Sequence, residues 1–150
     1  MTTLRPTEQR KADVLAALAK NGDLWLATAS PSGRPHLIAV SGWWDGNQVV
    51  IATVGSSRTA GNLESTGVGR LALGATDDVI LIDVKVTGSV PIDSADSSLA
   101  KGFVAAVGWN PADEAGAWNL FTLQPTQIQA HRGYAELSGR VVMRGSRWLA

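Results

Sequence analysis

From Asp78 to Val90, apolar and polar residues alternate with a period of two. Ile80, Ile82, Val84, Val86 and Val90 fall on one face. Asp83, Lys85, Thr87 and Ser89 fall on the other, with Val79 and Leu81 at its start. Successive side chains of a strand point to opposite sides, so this segment reads as a long strand with one side against a core. Asp78 shares the parity of the apolar face and would open it as a polar group near the mouth of the structure. Four shorter runs precede it as strands: Leu24–Ser30, His36–Trp44, Gln48–Val54 and Val68–Leu73. Pro31-Ser32-Gly33-Arg34-Pro35 supplies the first turn, and Asp45-Gly46-Asn47 is a hairpin signal before the third strand. Thr126–Leu137 and Arg140–Leu149 read as two final strands joined at Ser138-Gly139.

The spacing becomes helical in two places. After Thr7, a candidate N-cap, Val14, Leu15 and Leu18 share one helix face, and Asn21-Gly22-Asp23 ends the helix. A second helix is predicted from Asp93 or Ser94 to Val107, with Leu99, Phe103, Val104 and Val107 on one side. Its Gly102 lowers helix propensity. Trp109 to Gly116 reads as a loop. No repeat, low-complexity tract or linker divides the chain, so residues 1–150 are expected to form a single domain. Mostly consecutive strands with short turns predict a mainly β fold. We expect a six- to seven-stranded antiparallel barrel with two or three short helices beside it.

Composition narrows the chemistry. The chain has 150 residues, 45% of them hydrophobic and 17% charged, enough for a real core. Zero formal net charge disfavours a general role on nucleic acid or an anionic membrane. With no cysteine, disulfides, thiolate metal sites and cysteine nucleophiles are excluded. No apolar run approaches a membrane span, and no apolar leader segment is visible, so a cytoplasmic location is expected. His36 and His131 lie far apart, with no nucleophile elbow and no zinc spacing, so neither a catalytic triad nor a metal site is expected. Nine of the thirteen basic residues are arginine, which suits forked anion recognition. Six tryptophans serve as core and interface bulk, or as a wall for a flat aromatic ligand. Arg132, Arg140, Arg144 and Arg147 face one acid, Glu136, in the last quarter. That bias is a solvated face or a field that steers an anionic tail.

The segment Val49–Leu63 carries the most specific signal. An apolar strand ends at Thr53 and runs through Gly55-Ser56-Ser57 into Arg58-Thr59 and a helical turn. Backbone N–H groups at a helix start, hydroxyls and a guanidinium make an anion site without a metal. The same letters also describe an ordinary capped turn, with Ser57 as the cap and Arg58 in solvent. His36, after Gly33-Arg34-Pro35, reads either as a hydrogen-bonded strand-end histidine or as a contact to a ring carbonyl or phosphate.

Four pieces in order resemble the split-barrel flavin-binding superfamily that includes the pyridoxamine 5′-phosphate oxidases. They are Leu24-Trp25-Leu26-Ala27-Thr28 with Gly33-Arg34-Pro35-His36; Trp44-Asp45-Gly46 before a strand ending in Thr53; Ser57-Arg58-Thr59 with Asn62-Leu63, then Arg70 to Gly74; and Asp78-Val79. Gly139 to Arg144 and Trp148-Leu149 resemble the actinobacterial branch, which includes proteins that bind the 8-hydroxy-5-deazaflavin coenzyme (coenzyme F-420).

The resemblance implies a homodimer with the cofactor at its interface, acting as an oxidoreductase on a small unsaturated or quinone-like substrate. Ser56, Ser57, Arg58 and Thr59 would hold a phosphate, Thr53 and His36 would lie near the ring, and Asn62 and Asp78 would line the edge. No acid–base residue is assigned, because hydride transfer is chemistry the cofactor carries. In the oxidases an Arg-Lys pair follows the strand-ending Thr; here Thr59 replaces the lysine, and Leu37 to Gly42 lack the basic residues of the preceding strand. Each missing charge-assisted bond costs about 1.5–3 kcal/mol of phosphate binding. A singly charged phosphodiester, as in the deazaflavin coenzyme, therefore suits the segment better than the phosphate monoester of flavin mononucleotide (FMN). FMN remains the alternative cofactor. A non-catalytic flavin carrier and an FMN-dependent oxidase-like enzyme remain the alternative functions.

Overall fold

The computed structural model describes residues 3–150. Along the chain run α1 (Thr7–Ala19), β1 (Gly22–Ala29), β2 (Pro35–Trp44), β3 (Val49–Val54), α2 (Arg58–Thr66), β4 (Val68–Ala75) and β5 (Asp78–Pro91). After them come α3 (Ser97–Val107), β6 (Trp118–His131), β7 (Val141–Arg144) and β8 (Arg147–Trp148). Hydrogen bonding gives the order β3-β2-β1-β4-β5-β6, and β6 pairs back onto β3. Six antiparallel strands thus close a barrel, and β7 and β8 extend from β6 as an additional hairpin. The fold is mainly β with three helices, as the strand pattern predicts.

Side-chain parity builds the two cores. Leu26, Ile51, Leu71, Ile82, Phe121 and Ile128 fill the barrel and are fully buried. A second cluster, Val50, Ala52, Phe103 and Leu120, lies where α3 covers the outside of the barrel wall. β3 therefore buries both faces, which is why it reads as an unbroken apolar run. α3 begins at Ser97, later than Asp93 or Ser94, because Asp96 caps it and residues Ile92–Ser94 form a separate 3₁₀ turn. Gly102 sits against the Trp43 indole, where a Cβ would come within 2.3 Å of the ring. The residue that weakens the helix is the one that lets it approach.

Two bulges change the parity of the long strands. The β5–β6 register shifts between Val86 and Gly88, so Thr87 is extra. Val90 consequently leaves the face it shares by alternation with Ile80 to Val86 and packs in the α3 cluster instead. A second shift, where Asp83 opposes Gln127 and Val84 opposes Pro125, leaves Thr126 unopposed. It moves the inward positions of β6 from Phe121 and Leu123 to Ile128 and Ala130. Strand β6 therefore begins at Trp118, eight residues before Thr126, and ends at His131. Residues Tyr134–Leu137 form a 3₁₀ turn rather than strand, and Arg140–Leu149 contains the β7–β8 hairpin.

Helices α1 and α2 close opposite ends of the barrel. Val14 and Leu18 of α1 enter the core beside Trp44 and Leu73. Thr7 does not cap α1; Pro6 precedes it without a side-chain cap. Arg10 is 2% exposed and donates to the carbonyls of Arg5, Ala130, Glu136 and Ser138. Glu136, 3% exposed, accepts from Arg5 Nε at 3.1 Å, Arg5 Nη2 at 2.6 Å, and the backbone N–H groups of Arg5 and Arg132. These bonds hold its carboxyl down at about 2 and raise the Arg5 guanidinium. At the other end, Ala60 and Leu63 of α2 are fully buried, and Val86 N–H donates to the carbonyl of Gly67.

Candidate functional site

The barrel is open along one seam. β1 pairs along its whole length with Pro35–Gly42 of β2, and β3 pairs with β6 over all of its residues. β2 and β3 pair with each other only where Gly42–Trp44 meets Ile51–Val49. Beyond that point their facing edges diverge, because β3 stops at Val54 and Ser57 N–H bonds back to the Val54 carbonyl to start α2. The gap is a cleft of about 380 Å³ that includes Ile38, Val40, Ala52, Thr53, Val54 and Ser57. That volume is within the usual range of small-molecule sites.

At the open end of the cleft stands the N-terminus of α2. Ser57 is its N-cap, and its Oγ accepts from Ala60 N–H at 3.1 Å and lies 3.0 Å from Thr53 Oγ1. Gly61 N–H bonds to the Ser57 carbonyl. The cap thus satisfies the third helical residue and leaves the Arg58 N–H at the helix start without an intrahelical partner. Arg58 is exposed and makes no ion pair among the described residues. The Arg58 amide, its guanidinium and nearby hydroxyls make this end electropositive, and among the described residues no acid lines it.

The end nearer the β2–β3 pairing has the opposite character, and its carboxylate, Asp23, is exposed. Trp109 and Trp118 form part of the wall, edge to face, with ring centroids 5.3 Å apart. Trp109 Nε1 donates to Ser41 Oγ at 3.0 Å, and Ser41 Oγ donates to Asp23 Oδ1 at 3.3 Å. Trp118 Nε1 donates to the Ala115 carbonyl. Every described indole N–H of this wall is therefore engaged, and among the described residues Asp23 is the one charged side chain lining the cleft.

The residues singled out by sequence divide into groups. Thr53 and Ser57 come together at the cleft's open end, with Ser56 and Arg58 exposed in the same turn. Thr59 does not join them through its side chain: it is 0% exposed, and its Oγ1 is buried without a partner. Its backbone is enclosed with the side chain, so Thr59 offers the cleft no donor. Asn62 also turns inward, and its Nδ2 donates to Thr28 Oγ1 at 3.1 Å. Thr28 lies opposite His36 in the β1–β2 register, so His36, Thr28 and Asn62 form a polar layer beneath α2. Asp78 is not brought to the other residues within one chain. It stands at the β4–β5 hairpin beside α1, at the far end of the barrel, where Arg132 Nε lies 3.3 Å from Oδ2. The carboxylate at the cleft is Asp23, which alternation along β1 does not mark out. Trp109 and Trp118 belong to the tryptophan set, but their place beside β2 depends on strands distant in sequence.

No family model and no curated protein matches the chain. Solved structures do. An F420 reductase superposes with a TM-score of 0.63 at 16% identity, covering 75% of this chain and 93% of its own. A pyridoxamine 5′-phosphate oxidase-related, FMN-binding protein from Nostoc punctiforme gives 0.54 at 15% identity, covering 86% of each chain. The chain has the split-barrel fold. The heme storage protein HutZ from Vibrio cholerae shares this split barrel as well, with a TM-score of 0.63 at 19% identity, covering 85% of this chain and 98% of HutZ. The split barrel thus serves reductase, FMN-binding and heme-storage proteins, so the ligand of this one has to be argued from its own cleft.

Proposed function

We propose that this split barrel binds a flavin-type coenzyme in the β2–β3 cleft and works as an oxidoreductase on a small unsaturated or quinone-like substrate. The observation that carries the reading is the union of two features. A helix start that carries the exposed Arg58 borders, through its N-cap Ser57, a cleft whose wall includes Trp109 and Trp118. The guanidinium and N–H of Arg58 and the hydroxyls of Ser56 and Ser57 would hold the phosphate. Thr53 and the tryptophan wall would border the ring.

The charge count favours the 8-hydroxy-5-deazaflavin coenzyme over FMN. One guanidinium, one amide and two hydroxyls match a singly charged phosphodiester. A phosphate monoester carries close to two charges, and among the described residues no cation lines the cleft to add to Arg58. When bound, the coenzyme would supply hydride chemistry. The protein's share is to orient the ring, exclude water between Trp109, Trp118 and the strand edges, and hold the tail.

The same reading includes a homodimer. Trp25, Leu37 and Val68 are 53%, 61% and 55% exposed. Trp25 and Leu37 lie on the outward face of β1 and β2 with Ala27 and Ala39, next to the cleft. An apolar patch of that kind marks an interaction surface, and a second copy would cover it while completing the cleft wall.

Titration of the purified protein with the deazaflavin coenzyme and with FMN, followed by tryptophan fluorescence, tests the proposal. Saturable quenching, stronger for the deazaflavin coenzyme, is the expected outcome. Absence of binding by either would refute it. Tight binding without turnover over a broad substrate panel would favour a carrier role.

A further inference from the structure

We infer that Asp23 is the anchor for the ring edge farthest from the phosphate, and that it selects a ring carrying an N–H or O–H donor at that edge. The inference rests on the flavin-type reading of the cleft. It deepens that reading by assigning a direction and a protonation state to the bound ring.

The cleft is bipolar. Its open end is the electropositive start of α2, and its closed end lies where β2 and β3 begin to pair, at Gly42 and Ile51. Ile38 to Ser41 spans the distance between the two ends, about 10 Å at roughly 3.3 Å per strand residue. At the closed end, Asp23 and Ser41 face each other across the β1–β2 ladder. The hydrogen bonds there run in one direction, from indole to hydroxyl to carboxylate. Trp109 commits the lone pair of Ser41 that faces it, and Ser41 commits its proton to Asp23 Oδ1. Asp23 Oδ2 has no protein partner among the described residues. A carboxylate offers acceptors only. This end, with its exposed carboxylate, therefore welcomes a donor and disfavours an anion or a bare carbonyl.

A ligand that satisfies both ends has a negative tail and, at the opposite edge of its ring, a protonated group. A ring hydroxyl or imide that ionises would be kept in its neutral form, because the Asp23 charge disfavours a second negative charge beside it. The tail fixes one end and Asp23 the other, so the ring can lie in the cleft in one sense only. Asp23 would thus be a specificity-determining and positioning residue.

The test is a pH titration of the ring absorbance of the deazaflavin coenzyme, free and bound, since ionising a conjugated hydroxyl changes its spectrum. The wild-type protein should raise the ionisation midpoint by about one pH unit, a tenfold preference for the neutral ring. Asp23→Asn keeps the shape and removes the charge; it should return most of that shift. Ser41→Ala, which frees Asp23 Oδ1 and the Trp109 indole, should leave the shift in place. A bound midpoint equal to the free one, or a shift that survives in Asp23→Asn, would overturn the assignment while leaving flavin binding intact. Failure of the wild type to bind the coenzyme at all would overturn both.

Discussion

Thr53 Oγ1 and Ser57 Oγ lie 3.0 Å apart, joining the last inward residue of β3 to the N-cap of α2. This contact sets the direction in which the helix start faces. It follows that Ser57 has two duties, capping Ala60 N–H and holding the turn over the cleft. Ser57→Ala should cost about 0.5–2 kcal/mol of stability, as loss of an N-cap does. It should also weaken coenzyme binding more than Ser56→Ala, whose side chain is exposed and caps nothing. Urea denaturation and fluorescence titration of the two variants separate these effects.

Glu136 makes stability depend on acid. Its hydrogen bonds to Arg5, and then to the Arg132 backbone, lower its ionisation from 4.5 to about 2. A carboxyl depressed by folding contributes stability that is fully present above its unfolded value, near 4.5, and is lost as pH falls through the folded value. The contribution is on the order of 3 kcal/mol. Unfolding free energies measured between pH 6 and pH 2 should fall accordingly. Glu136→Gln should flatten that dependence and lower stability at pH 6.

Gly102→Ala is expected to destabilise, although alanine is the better helix former. The gain in propensity is about 1 kcal/mol, and forcing a methyl into the Trp43 ring costs about 1–3 kcal/mol. A combined Gly102→Ala, Trp43→Leu protein should recover part of the loss, because the clash is with the indole. Thermal melts of the single and double variants report the difference.

Leu37→Glu and Trp25→Glu place a charge on the apolar outer face of β1 and β2. Both should convert a dimer to a monomer in light scattering, and they should reduce coenzyme affinity if the second copy completes the cleft. A wild-type protein that is monomeric at micromolar concentration would contradict the dimer.

Much of this fold is legible in the sequence because its strands bury one face. The alternation from Ile80 to Val86 and the Asp45-Gly46 hairpin suffice to place β5, β2 and β3. Alternation stops being informative at the bulges. Val90 changes face after Thr87, and the unopposed Thr126 beside Pro125 conceals that β6 begins at Trp118. The anion loop is legible down to Ser57 and Arg58, because capping and charge are local properties. Thr59 and Asn62 are not, since only the packing of α2 into the barrel decides which side of a short helix faces inward. The cleft itself is invisible to a linear reading: it exists because β2 and β3 fail to pair beyond Gly42, and its closed end joins Asp23, Ser41 and Trp109 from three distant segments.

The central claim is that the start of α2 grips the coenzyme's phosphate through Arg58, and the dissociation constant of Arg58→Ala tests it most directly. The side chain is exposed and contributes no described ion pair, so its removal should leave the fold unchanged. Loss of one charge-assisted interaction, about 1.5–3 kcal/mol, predicts roughly ten- to hundredfold weaker binding of the deazaflavin coenzyme. A folded Arg58→Ala protein that binds the coenzyme as tightly as the wild type would contradict the claim.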